Sequence, residues 1–246
     1  LWRRTLYSLP IYIFYIIKKT IKTDLYISAS IIDDLKILNN KINKDSFYIF
    51  SAFNLAMTSN LLIKSIENES SFNYWSDGIF CKFFKKKINK IAGNKFLENI
   101  ELNEKFKSIH VIGNLNPKDQ VFLDKKFLGL NLNYTDLPFG EPEELIKYIT
   151  NIKDNSLILI TLPTPKQEKL AQMILKKFKF GKIICIGGGL SIASGHEKKC
   201  PPVLENLGLE FIWRLRNETK RRTLRVIRDI VIVSYSFITF VNAKVA

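Results

Sequence analysis

Uninterrupted apolar runs alternate along this chain with polar, helix-like segments. The clearest run, Leu157 to Ile160, has four apolar residues with no polar alternation, which suits a strand covered on both faces, as in a parallel sheet. Pro163 and Pro165 stop it. Thr164 can cap a helix, Pro165 fits the first helical position, and Gln167 falls three residues after the cap, as a capping box requires. This predicts Lys166, Gln167 and Glu168 on the first turn of a helix at the carboxyl end of a central strand. Phe47 to Phe53 reads as an earlier strand, with Asn54 at its carboxyl end and a helical stretch through Ile66. Further strands are expected at Ile109 to Gly113, Leu128 to Leu132, Leu157 to Thr161 and Ile183 to Ile186. Asp33 to Asp45 reads as a helix and loop, and Gly140 to Tyr148 as a turn into a helix. Strands alternating with helices predict a doubly wound, mostly parallel α/β sheet.

The two ends differ from this middle. Residues 1–30 hold the apolar, aromatic run Leu9 to Ile17 between Arg3-Arg4 and Lys18-Lys19. Nine residues are too few to span a bilayer, so a packed or interfacial helix is expected, with a signal anchor as the alternative. The first residue is Leu1 rather than Met, which leaves room for residues upstream. Residues 31–195 form the expected core. Residues 196–246 read as a basic, apolar appendage: nine Lys or Arg stand against four Glu between His196 and Arg228, and Ile230 to Val241 is apolar apart from hydroxyl residues.

Composition narrows the class of partner. The 246 residues carry a formal charge of +15, which calls for a polyanionic neighbour: nucleic acid, an anionic membrane or a phosphorylated substrate. Hydrophobic content of 46% excludes a disordered chain. Cys81, Cys185 and Cys200 are too widely spaced for a zinc site or a disulfide framework, and two histidines are too few for a histidine metal centre.

Four constellations can carry chemistry. Asp77, before Gly78, can serve as a general base on a tight turn, or be no more than a turn-forming pair. Gly187, Gly188 and Gly189 follow the strand KIICI and let a backbone approach a phosphate or a base edge; a tight strand-to-helix turn is the alternative. The spacing is not that of a dinucleotide fingerprint, because Ile192 stands where a third glycine belongs. The turn at Lys166, Gln167 and Glu168 sits where α/β sheets bind ligands, or is an ordinary capped turn. Arg214, Arg221, Arg225 and Arg228, spaced seven, four and three, share one helical face suited to diphosphates or phospholipid headgroups, or form a solvated charged face.

Taken together, these residues resemble the WecG/TagA/CpsF family of bacterial glycosyltransferases from about Phe47 to Arg225. Trp75-Ser76-Asp77-Gly78 looks like the family's Pro-Asp-Gly turn, and Lys90-Ile91-Ala92-Gly93 like its Arg-x-x-Gly. Pro165-Lys166-Gln167-Glu168 matches its Pro-Lys-Gln-Glu signature. Gly187-Gly188 through Gly195, Gly208-Leu209-Glu210-Phe211, Arg214-Leu215 and the arginines 221, 222 and 225 follow its tail. Departures are Ser51-Ala52-Phe53-Asn54 in place of Thr-x-Asn, Asn94 in place of Asp, and Phe211 in place of Trp.

The resemblance implies a Rossmann-like core with a helical, membrane-associating C-terminal appendage, acting in surface polysaccharide or cell-wall polymer biosynthesis. It implies inverting transfer of a sugar like N-acetylmannosamine from a UDP-sugar donor to a polyprenyl-diphosphate-linked acceptor, with no metal and no cofactor. Asp77 takes the place of the general base. Ser51, Asn54, Gly78, Lys90, Gly93, Lys166, Gln167, Glu168, Gly187, Gly188, Gly189, Arg214, Arg221, Arg222 and Arg225 take substrate-binding positions. The expected partner surface is an anionic membrane at the cytoplasmic face of the bacterial inner membrane, with peripheral attachment and no nucleic acid; a homo-oligomer stays open. A basic nucleic-acid-binding α/β protein and an inactive, nucleotide-binding relative are the competing readings.

Overall fold

The computed structural model describes residues 31–44, 48–66, 71–78, 88–153, 155–178, 181–206, 213 and 220–245, with side chains of the last helix from 223 to 235. The N-terminal segment 1–30, the basic cluster 82–87, and Arg214 lie outside the described residues, as do the side chains of Arg221 and Arg222.

Among the described residues, seven strands form one sheet in which every pairing is parallel. They are β1 (Ile31–Ile32), β2 (Tyr48–Phe53), β3 (Phe72–Ser76), β4 (Ser108–Gly113), β5 (Asn131–Asp136), β6 (Ser156–Ile160) and β7 (Lys182–Cys185), in spatial order β1-β3-β2-β7-β6-β4-β5. Every residue of β3, β4, β6 and β7 is buried, as strands covered on both faces require. Helices α1 (Leu35–Ile42), α3 (Gly93–Asn99), α4 (Pro117–Lys126) and α7 (Gly189–Ala193) cover one face. There Leu38, Phe96, Leu97, Leu123 and Leu190 pack on Phe50, Val111, Leu159 and Ile184. Helices α2 (Leu55–Leu62), α5 (Pro142–Leu145) and α6 (Lys166–Phe178) cover the other, where Met57, Leu145, Leu170 and Ile174 meet Ile49, Phe53, Ile160 and Ile183. A single-turn 3-10 helix, Ile146–Tyr148, follows α5. This is the doubly wound, Rossmann-like α/β fold.

Three strands differ from expectation, the first being β1, a two-residue edge strand that the apolar pattern did not single out. Strand β3 is unforeseen because Asn73 and Ser76 break its apolar run; burial is tolerated since Asn73 Oδ1 accepts from Lys41 Nζ at 3.2 Å. Strand β5 starts at Asn131, not Leu128. Phe127 closes α4, Gly129 turns the chain at φ +88°, and Leu128 is left 82% exposed. The strand itself alternates polar and apolar, as an edge strand does.

After α8 (Pro202–Asn206), α9 (Lys220–Val245) packs along α2. Ser59 Oγ donates to Asp229 Oδ1 at 2.7 Å, Arg228 closes on the same oxygen at 2.8 Å, and Val233, one turn on, is buried. The opposite side of α9 stays uncovered: Leu224, Ile227, Val231 and Tyr235, at spacings of three, four and four, are each more than half exposed. No helix among the described residues is long and apolar enough to cross a membrane.

Candidate active site

Strand register brings four strand ends to one level. Phe53 pairs with Ser76, and Cys185 pairs with both Ser51 and Ile160. The residues that follow β2, β3, β6 and β7 therefore meet at the carboxyl edge. On one side of the β2–β7 pair lie β3 and β1; on the other lie β6, β4 and β5. A crevice at such a reversal of strand order is where open α/β sheets hold ligands.

That crevice is a cleft of about 140 Å³ lined by Asn54, Asp77, Gly93, Asn94, Gln167 and Gly187 to Gly189, with Ala52, Trp75, Pro163, Thr164, Cys185, Ile186 and Ile192. A larger hollow of about 500 Å³ lies at the opposite, amino end of β4 and β5, beside Phe106, Lys107 and Leu128. None of the candidate residues lines it.

Each wall of the cleft has a local cause. Asp77 is the first residue after β3, where its N–H donates to Phe53 O at 3.3 Å. Gly78 then takes φ +71°, a left-handed conformation that favours glycine. The chain returns beside β3 at residues 88–91: Ile91 N–H donates to Ser76 O at 2.7 Å, and Ser76 Oγ donates to Asn89 O. This return delivers Gly93 and Asn94 to the cleft. There the starts of α3 and α7 touch through bare backbone, since a Cβ on Gly189 would stand 2.9 Å from the Gly93 carbonyl carbon. Asn54 caps α2, with Oδ1 accepting from Met57 N–H at 3.1 Å.

The β6–α6 turn is built differently from a capping box. Gln167 Nε2 donates to Glu168 Oε1 at 2.8 Å and to Thr164 Oγ1 at 3.3 Å. Gln167 Oε1 accepts from Gly187 N–H at 3.0 Å, so this amide joins the β6 turn to the glycine turn after β7. Behind it Glu168 is fully buried. Ser51 Oγ and Thr164 Oγ1 also donate to its Oε1, at 2.8 and 3.0 Å. Burial pushes the Glu168 carboxyl up from its ordinary value, against the lowering effect of these hydrogen bonds. Burial, and then the nearby Glu168, push the Cys185 thiol well up. Cys185 therefore lines the cleft as a neutral thiol and not as a nucleophile.

Of the expected residues, Asn54, Asp77, Gly93, Gln167, Gly187, Gly188 and Gly189 come together in the cleft. Ser51 and Glu168 do not line it; strand parity and helix phase turn both into the layer beneath, bonded to each other. Lys166 points to the outer side, its Nζ on Gly140 O at 2.8 Å and Glu141 Oε1 at 3.0 Å. Gly78 and Lys90 flank cleft residues without lining it, and Arg225 sits half-buried on α9 away from the lining. Trp75, Ala52, Asn94, Thr164 and Cys185 were not foreseen as site residues. Adjacency to the motifs was the signal that could have found them. Trp75 is fully buried against Phe96, ring centroids 5.0 Å apart, with its indole N–H unpartnered. Among the described residues, no cluster of three His, Cys, Asp or Glu is placed to hold a metal ion.

Comparison with known protein families matches the chain to the glycosyl transferase WecG/TagA/CpsF family over residues 84–244. The match takes in Gly93, Gln167, the three glycines and all but the last residue of α9, while Asn54 and Asp77 precede it. It covers well over half of the 246 residues. This chain belongs to the WecG/TagA/CpsF family of glycosyl transferases, which act in cell-wall or polysaccharide synthesis.

Proposed function

We propose that this enzyme is an inverting transferase that moves an N-acetylhexosamine-type sugar, like N-acetylmannosamine, from a UDP donor to a polyprenyl-diphosphate-linked sugar. The observation that carries this reading is the convergence of Asp77, Gln167 and the 187 to 189 glycines on one cleft at the carboxyl edge of the sheet. The Gln167 amide and the glycine backbone hold the nucleotide. Asp77 accepts the proton of the acceptor hydroxyl while that oxygen attacks the anomeric carbon from the face opposite the diphosphate. The bond from the anomeric carbon to the diphosphate oxygen breaks, and UDP leaves with the electron pair. Arg214, Arg221 and Arg222 neutralise the departing charge.

The lipid-linked acceptor explains the last helix. Its uncovered face carries Leu224, Ile227, Val231 and Tyr235 beside Arg225 and Arg228, the pattern of a helix lying on an anionic bilayer. Peripheral attachment at the cytoplasmic face follows. A donor screen measuring UDP release with a synthetic prenyl-diphosphate sugar tests the reading, together with pelleting on anionic vesicles. Acceptor-dependent release from one UDP-sugar and sedimentation with vesicles are expected. Tight binding to duplex DNA at moderate salt, without vesicle binding, would favour a nucleic-acid partner instead.

A further inference from the structure

The pairing beneath the cleft has a consequence for how the β6–α6 turn meets a ligand. Glu168 Oε1 collects three donors from three places: Ser51 on β2, Thr164 on the turn after β6, and Gln167 on α6. Only the last of these belongs to a side chain whose other end is also held, because Gln167 Oε1 accepts from the Gly187 N–H. A backbone N–H can only donate, so the carbonyl end of the Gln167 amide faces Gly187 and the NH2 end faces Glu168. We infer that Glu168 is a positioning residue that locks the Gln167 amide in this one orientation, so that the turn offers an incoming ligand an acceptor and not a donor.

The hydrogen-bond inventory supports that polarity. An amide has two hydrogens and two carbonyl lone pairs. Both hydrogens of Gln167 Nε2 are engaged, by Thr164 and Glu168, and one lone pair of Oε1 is engaged by Gly187. One lone pair is left, on a side chain that lines the cleft. It matches an N–H or O–H of the ligand. Glu168 Oε2 meanwhile has no partner, so the residue acts through a single oxygen. Reach, rather than charge, is then what the role requires.

Two substitutions separate reach from charge. Glu168→Asp keeps the carboxyl but draws it back by one methylene; Glu168→Gln keeps the acceptor oxygen in place without a charge. This deepens the transferase reading and rests on it for the ligand, so the first readout needs no ligand: exchange of the Gln167 side-chain NH2 protons, followed by NMR. Slow exchange is expected in the parent protein and in Glu168→Gln, and fast exchange in Glu168→Asp. The second readout is UDP affinity, expected to fall at least tenfold in Glu168→Asp and to be rescued to within about threefold in Glu168→Gln. Equal exchange in all three proteins, or loss of UDP affinity in Glu168→Gln with retention in Glu168→Asp, would overturn the positioning role. Failure of the parent protein to bind UDP, with the exchange pattern intact, would instead remove the UDP-donor reading and leave the positioning role standing.

Discussion

Asp77→Asn is expected to lower acceptor-dependent UDP release by a factor of about 10²–10⁴, the range that a positioned general base contributes, while leaving UDP affinity unchanged. The substitution preserves shape and keeps the backbone bond from residue 77 to Phe53 O, so the turn after β3 and the wall it forms should persist. What disappears is the ability to take the acceptor hydroxyl's proton as the new bond forms. Binding depends on other groups, Gln167 and the glycine backbone, which the substitution does not touch. A turnover number equal to that of the parent protein would remove Asp77 from the reaction, whatever its place in the cleft.

Gly189→Ala should lower both stability and UDP affinity. The added Cβ would stand 2.9 Å from the Gly93 carbonyl carbon and 3.2 Å from the Asn94 nitrogen, both backbone atoms that cannot swing aside. Overpacking of this kind costs about 1–3 kcal/mol, which for a domain of this size lowers Tm by about 2–12 °C. The relief available is separation of the α3 start from the α7 start, and both carry cleft-lining residues, so UDP affinity should fall with stability. Gly188→Ala provides the contrast. Its φ of −69° is ordinary and nothing lies within 4 Å of the added carbon, so its Tm should stay within about 2 °C of the parent's. Equal melting temperatures for the two variants would mean that the α3–α7 contact is not tight.

How much of this could be read from residues alone depended on which physical signal each part carries. Strands β4, β6 and β7 announce themselves through consecutive apolar residues, Val111-Ile112, Leu157 to Ile160 and Ile183 to Cys185, as strands covered on both faces require. Strand β3 stayed hidden because Asn73 and Ser76 are polar residues made bearable only by partners distant in sequence, Lys41 Nζ and Asn89 O. Strand β5 drifted because Leu128 to Leu132 looks like an apolar strand start, whereas Leu128 directly follows Phe127, the cap of α4, and the strand begins at Asn131. In the cleft, Gln167 and the glycines were legible because a strand end followed by a turn motif fixes their location. Ser51 and Lys166 were not, because a motif gives position along the chain and not the side to which a side chain turns. Ser51 shares strand parity with Ile49 and Phe53 and so faces α6; Ala52, one residue on, lines the cleft in its stead. The uncovered stripe of α9 was legible only in part, since its spacing shows one face but not which side meets α2.

The most direct test of the central claim, that the carboxyl-edge cleft holds the sugar nucleotide, is a hydrogen–deuterium exchange footprint of UDP on the intact chain. Slowed exchange at the amides of Gly187 to Gly189 and of the turn from Thr164 to Gln167 is the predicted result. Protection absent there and found instead around Phe106, Lys107 and Leu128, at the opposite edge of the sheet, would contradict it.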